Sequence, residues 1–293
     1  MTAKQTTVFT GAQGNRIVAD IHPADEPRGC VLLAHGGGQT RHSWGGTARA
    51  LARRGITAVT IDQRGHGDSD WIKTGEYGFE WFAEDMLCVL DQLHRLTGFV
   101  PAVVGASLGG LAGLFAGGGA HGAASMSALV LVDITPKMRV DGVARIIGFM
   151  QEHAEEGFGT VEEAADAISA YLPHRPRPTN LSGLSKNLRK DADGRYRWHW
   201  DPNFIITRED PAKHAHEVER KGFEAAARLK VPVLLVRGRE SELVGEDEVE
   251  AFIKAVPQAK FADIAGARHM VAGDKNDVFT DALLTFFDEL TWR

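Results

Sequence analysis

Gly105-Ala106-Ser107-Leu108-Gly109 is the stretch of the chain best arranged for covalent chemistry. It follows the apolar run Ala102-Val103-Val104 and opens a segment of helical character. A serine at so sharp a strand-to-helix turn sits in strained backbone, and the residues two before and two after it must be small for the chain arms to pass. Gly105 and Gly109 meet that demand, and the Leu108 amide then lies at a helix N-terminus, aimed at any oxyanion developing beside the serine. A hydroxyl is a weak nucleophile until a base takes its proton. Of the twelve histidines, His269, in a loop just past the last strand-like run Lys260 to Ile264, has the best topological position for that base. The imidazole in turn needs an acid to fix its tautomer and stabilise its charged form. The order serine, acid, histidine confines that acid to positions between 107 and 269, at a strand end. Glu242, in Arg237-Gly238-Arg239-Glu240-Ser241-Glu242, is the first choice, and Asp133, closing the run Ala128 to Val132, is the alternative. Upstream, His35-Gly36-Gly37-Gly38 follows another apolar strand, and consecutive glycines leave backbone amides unshielded. The Gly37 amide is assigned as second oxyanion donor, with Gly38 the alternative, and His35 reads as a structural tie at the strand end.

These groups need a scaffold that brings distant loops together. Short apolar runs bounded by Gly, Asp or Pro recur at Val31 to Ala34, Ile56 to Ile61, Ala102 to Val104, Ala128 to Val132 and Val231 to Val236. Such runs suit interior strands of a mainly parallel sheet covered by helices. Amphipathic helical patterns lie between them, at Ser43 to Arg54 and Phe79 to Leu96, which predicts an α/β fold. Thr7-Val8-Phe9 and Arg16 to Ile21 read as a hairpin. From Phe99 to Val132 there is no charged side chain, long enough to span a bilayer, yet Pro101 and many glycines break it. A buried strand, helix and strand explain it better. From Pro136 to about Leu229 there is no convincing interior strand, and helical patterns with the polar aromatic stretch Arg195 to Trp200 predict a mostly helical insertion.

Bulk properties narrow the function by exclusion. A formal net charge of −6, with basic residues scattered, gives no general attraction to nucleic acid or to an acidic membrane. Cys30 and Cys88 are the only cysteines, which reads as small buried groups in a reducing, cytoplasmic setting and as neither a disulfide framework nor a metal site. No metal or organic cofactor is indicated, and a homo-oligomer is compatible with the sequence.

Together the motifs resemble the α/β-hydrolase superfamily, in particular its lidded serine esterases and lipases. Asp62-Gln63-Arg64-Gly65-His66-Gly67-Asp68-Ser69 looks like that family's turn after the fourth strand, which shapes the floor of the site. The resemblance implies an eight-stranded, mostly parallel sheet flanked by helices, formed by residues 1–135 and 229–293, with a helical lid at 136–228. It implies a triad of Ser107, Glu242 and His269, with the Gly37 and Leu108 amides as oxyanion hole. Relatives of this kind usually carry Asp where Glu242 stands. The expected reaction is cleavage of a small apolar or aromatic carboxylic ester or lactone through an acyl-enzyme. Carbon–carbon bond hydrolysis, cofactor-free peracid formation and a slow-turnover ligand receptor use the same triad and stay open. Serine rather than aspartate at the elbow argues against opening epoxides or displacing halide, which need a carboxylate nucleophile. Trp44, Trp81, Phe149, Trp198 and Trp200, with Met150 and Tyr171, are candidates to line an apolar acyl pocket.

Overall fold

The computed structural model describes residues 3–177, 179–206 and 211–292. Its sheet strands are β1 (Gln5–Thr10), β2 (Arg16–His22), β3 (Gly29–Ala34), β4 (Ile56–Ile61), β5 (Ala102–Ala106), β6 (Leu129–Val132), β9 (Val233–Gly238) and β10 (Lys260–Ile264), with β7 (Leu188–Lys190) and β8 (Tyr196–Trp198) forming a separate hairpin. The eight run in the order β1-β2-β4-β3-β5-β6-β9-β10, antiparallel at β1/β2 and β2/β4 and parallel elsewhere. β3, β4 and β6 are buried at every position, as strands covered on both faces must be.

Helices fill both faces. α1 (Gly45–Arg53) and α11 (Asn276–Asp288) cover one, burying Leu51, Phe279, Leu283 and Phe287 against Val31, Leu33, Val104 and Val130. α2 (Phe79–Thr97) and α3 (Leu108–Gly117) cover the other, with Met86, Leu90, Leu111 and Leu114 against Leu32, Val59, Val103 and Leu131. The uncharged stretch from Phe99 to Val132 is thus β5, α3, the short α4 (Gly122–Ser125) and β6. No helix among the described residues is long and apolar enough to cross a membrane. Glycine is obligatory where α3 meets the sheet: a Cβ at Gly109 would lie 2.5 Å from the Ala34 carbonyl oxygen, and one at Gly105 would lie 2.2 Å from that of Gly109.

Between β6 and β9 the chain leaves the sheet. It builds α5 (Val140–Glu152), α6 (Val161–Tyr171), the β7/β8 hairpin, α7 (Asn203–Ile206) and α8 (Pro211–Ala226), before α9 (Glu246–Ala255) follows β9 and the short α10 (Val271–Asp274) follows β10. β8 falls within the polar aromatic stretch, and the hairpin adds no strand to the eight-stranded sheet. Leu188 pairs with Trp198 across it, and the turn between the strands carries Asp193-Gly194, a local signal masked by the many charges around it. The insertion is tied to the core at the turn following β4. There His66 bridges to Trp200, the Gly67 amide donates to the His199 carbonyl at 2.7 Å, and the Asp201 amide donates to the Gly65 carbonyl at 2.7 Å. α8 ends against α3, where a Cβ on Gly118 would meet the Ala225 carbonyl at 2.3 Å. The last part of 136–228 therefore packs as one of the core's covering helices.

Candidate active site

Parallel strands end together, so the loops leaving β3, β5, β6, β9 and β10 gather at one edge of the sheet. Register places them finely: Ala34 faces Gly105, Ala106 faces Val132, and Val132 faces Val236. The loop of Gly36 to Gly38, the serine elbow, Asp133 and the turn after Gly238 are consequently neighbours.

Two non-glycine residues among those described have positive φ, Ser107 at 46° and Asp133 at 50°. Such backbone costs about 1–3 kcal/mol at a residue like serine and persists only where the surroundings enforce it. At Ser107 the enforcement is visible. Its amide donates to the Val132 carbonyl at 3.3 Å, its carbonyl accepts from Leu111 at 3.0 Å, and the Gly109 amide is held by the His35 carbonyl at 3.1 Å. Aspartate tolerates the left-handed region better than most residues, which suits Asp133 at the end of β6.

His269 follows β10 and turns back over this edge. Its Nδ1 lies 2.8 Å from Asp133 Oδ2, with the imidazole 15% exposed and the carboxylate fully buried. Asp133 also accepts from the Gly238 amide at 3.0 Å and from Ser241 Oγ at 2.5 Å. Burial pushes the Asp133 carboxyl above its ordinary pKa, and these donors, His269 foremost, pull it back toward the ionised form. Ser241 Oγ itself accepts from the amides of Leu243 at 3.0 Å and Val244 at 3.1 Å, which leaves its proton for Asp133.

The geometry therefore corrects the first choice of acid. Glu242 does not meet His269; the residue lines the cavity above, and its Oε2 is buried without a hydrogen-bond partner. The turn after β9 directs Ser241 inward onto Asp133 and sends the next side chain the other way. Both carboxylates satisfied the rule of chain order. The finer signal was proximity to a strand end, since Asp133 directly follows β6 while Glu242 stands beyond Gly238 by a further turn. Ser241 was missed altogether, because a lone serine beside two glutamates carries no pattern.

The glycine loop resolves by which amides are engaged. Gly36 donates to Gln39 Oε1 at 3.0 Å, and Gly38 donates to His66 Nε2 at 3.1 Å. Gly37, between them, has no hydrogen-bond partner among the described residues, and the same holds for the Leu108 amide. Gly38, the alternative donor, is thus ruled out by its bond to His66. His35 is a structural tie: fully buried, its Nδ1 lies 2.8 Å from the Gly36 carbonyl and its Nε2 accepts from the Gln63 amide at 3.1 Å. Burial lowers its pKa to about 4 and that of His66 to about 3.

Ser107, His269, Gly37 and Leu108 open into one cavity of about 530 Å³ between the sheet edge and the insertion. Of the pocket candidates, Trp44, Phe149, Met150, Tyr171, Trp198 and Trp200 line it. Trp81 does not: its ring lies beneath the Arg64 guanidinium at 5.4 Å, and from the same helix Phe79 reaches the cavity instead. Phe204 and Leu111 complete an apolar wall. Arg175, from the insertion, closes one side by donating to Asp274 Oδ1 at 2.5 Å and to the Met270 carbonyl at 3.2 Å, bracing the loop that carries His269. Among the described residues no cluster of His, Cys, Asp or Glu is arranged to hold a metal ion.

An eight-stranded sheet of this order, covered on both faces and carrying a strained serine after its central strand, defines an α/β-hydrolase. The chain belongs to the family described as Serine aminopeptidase, S33, whose model matches residues 25–276. It is 31% identical over 222 residues to Esterase Rv0045c of Mycobacterium tuberculosis, covering 74% of this chain and 68% of that protein. It is 25% identical over 238 residues to 2-(acetamidomethylene)succinate hydrolase of Mesorhizobium japonicum, covering 80% and 79%. The crystal structure of esterase Rv0045c superposes with a TM-score of 0.76 at 25% identity, covering 98% of this chain and 92% of that one. An E-2-(acetamidomethylene)succinate hydrolase structure superposes with a TM-score of 0.82 at 20% identity, covering 98% and 100%, a likeness of fold alone. The chain is an esterase-like member of the superfamily and a hydrolase.

Proposed function

We propose that this protein is a serine hydrolase of carboxylic esters, with Ser107 as nucleophile, His269 as general base and Asp133 as the acid behind it. The observation that carries the reading is the 2.8 Å contact of His269 Nδ1 with buried Asp133, at the rim of the cavity that also holds Ser107. With Nδ1–H given to the carboxylate, Nε2 is left free to accept the Ser107 proton. The serine oxygen attacks the ester carbonyl, and the Gly37 and Leu108 amides receive the developing oxyanion. His269 then returns the proton to the departing alcohol, and water repeats the sequence on the acyl-enzyme. A named esterase among the relatives supports ester as the substrate class. The apolar lining favours medium-chain or aromatic acyl groups, with residues 136–204 acting as the cap that excludes water.

Labelling with a fluorophosphonate and locating the adduct by peptide mass tests the assignment. The adduct is expected on Ser107, and Ser107→Ala is expected to lower nitrophenyl-ester turnover by several orders of magnitude. An adduct on another residue, or near wild-type turnover in that variant, overturns it.

A further inference from the structure

The cavity is apolar over most of its wall, and among the polar side chains that share it Glu242 is one to which the fold gives no partner. Its Oε2 is shielded from solvent without a hydrogen-bond partner, and no ion pair reaches the carboxylate among the described residues. The guanidinium groups that share the lining are directed elsewhere: Arg175 is bound to Asp274 and to the Met270 carbonyl, and Arg268 faces Glu240 at 3.7 Å. His269 is turned to Asp133. The position of Glu242 is fixed, because α5 closes over its backbone so tightly that a Cβ on Gly142 would lie 2.3 Å from the Glu242 carbonyl oxygen. Tyr171 lines the same cavity, its phenol pushed up by burial and then by the Glu242 charge.

Glu242 is partly exposed, and a carboxylate that no cation or donor meets is costly beside a mostly apolar cavity, where an apolar side chain would remove the cost. The arrangement makes sense when a bound molecule brings a donor to the exposed edge of that carboxylate from the cavity side. Resting on the ester-hydrolase reading above, we infer that Glu242 determines specificity: the cavity takes esters whose apolar body carries a hydrogen-bond donor, an ammonium or a hydroxyl group, which seats on Glu242 while the carbonyl lies at Ser107. A site built to bond such a group discriminates against the analogue that lacks it, because binding that analogue strands the carboxylate.

The test compares nitrophenyl esters of para-ethyl-, para-hydroxymethyl- and para-aminomethyl-benzoic acids, together with linear hexanoic and octanoic sets bearing the same end groups. In the wild-type enzyme the donor-bearing member of at least one set is expected to exceed its apolar counterpart in kcat/KM by about tenfold or more. Glu242→Leu is expected to invert that preference, gaining on the apolar ester while losing on the others. Glu242→Gln should keep preference for the hydroxyl ester and lose it for the ammonium ester, which separates the two donors. Wild-type preference for the apolar member of every set overturns the inference, as does a Glu242→Leu variant that loses all esters alike. Absence of turnover on any ester by the wild-type enzyme is the distinct failure of the hydrolase reading beneath it.

Discussion

Asp133→Asn is the sharpest perturbation of the proposed machinery, because the site offers an amide no good orientation. Asp133 Oδ2 accepts from both His269 Nδ1 and Ser241 Oγ, at 2.8 and 2.5 Å, while Oδ1 accepts from the Gly238 amide at 3.0 Å. An asparagine with its oxygen toward His269 sets its NH₂ against the Gly238 N–H, stranding a buried donor at a cost of about 1–3 kcal/mol. Flipped, it sets the NH₂ against His269 and Ser241, and the imidazole must move its proton to Nε2 to accept. In that tautomer His269 cannot take the proton of Ser107. Asparagine tolerates positive φ about as well as aspartate, so the backbone at 50° survives the exchange, which alanine would strain. The expected result is a kcat for nitrophenyl-ester hydrolysis lower by about 10³- to 10⁴-fold, with a folded protein of reduced melting temperature. A cooperatively folding Asp133→Asn variant within about tenfold of wild-type kcat would refute the reasoning.

Ser241→Ala removes one donor from Asp133 and the acceptor of two amides, so kcat should fall about tenfold with KM nearly constant, alongside a measurable loss of melting temperature. Gly105→Ala places a Cβ 2.2 Å from the Gly109 carbonyl oxygen and should abolish soluble folded protein, whereas Gly98→Ala, at φ 76° with nothing within 4 Å, should cost about 1 kcal/mol in denaturant titration. Burial lowers the pKa values of His35 and His66 to about 4 and about 3 from the ordinary histidine value of 6.5, so the unfolded chain binds more protons than the native one in that window. The stability they contribute is complete above pH 6.5 and is lost as pH falls, by about 1.4 kcal/mol per pH unit for each histidine. Denaturation midpoints at pH 7, 5.5 and 4.5 should trace that slope, and His66→Gln should reduce it; a flat profile contradicts the neutral, buried assignment.

Much of the fold was legible because its signals are local. A buried parallel strand must be apolar along its whole length, and the runs at Val31, Ile56, Ala102, Ala128 and Val231 announced β3, β4, β5, β6 and β9 within a few residues. Ser107 was legible for a steric reason, since glycine at 105 and 109 is demanded by backbone contact on both sides of the turn. The partner of His269 was not. Which carboxylate meets a histidine over a hundred residues away depends on where the turn after Gly238 sends two successive side chains, and no periodicity encodes that. The β7/β8 hairpin escaped for a related reason: its strands are three residues each, half-exposed, and held by the bridge of Phe158 to Tyr196 rather than by an apolar run of their own. Trp81 misled because an aromatic side chain does not reveal from its type what covers its ring, and Arg64 covers this one.

The oxyanion loop shows how such non-local constraints combine. A neutral imidazole has one donor and one acceptor nitrogen, and both buried histidines use each once. His35 faces the Gly36 carbonyl through Nδ1, so Nδ1 carries the proton and Nε2 accepts from Gln63. His66 faces the Arg64 carbonyl at 2.9 Å through Nδ1 and accepts from Gly38 through Nε2. Protonating either ring converts its acceptor into a donor pointing at another N–H. The pair is therefore compatible with the loop only while neutral, and burial keeps it so down to acid pH. His66 is itself fixed by the turn after β4, where Arg64 makes two 2.7 Å bonds to Asp85 of α2. Engaging Gly36 and Gly38 while leaving Gly37 unbonded is thus the outcome of a chain of contacts running from α2 through two imidazoles to a single amide. Breaking that chain at His66 should release the loop and lower kcat although the residue touches no substrate.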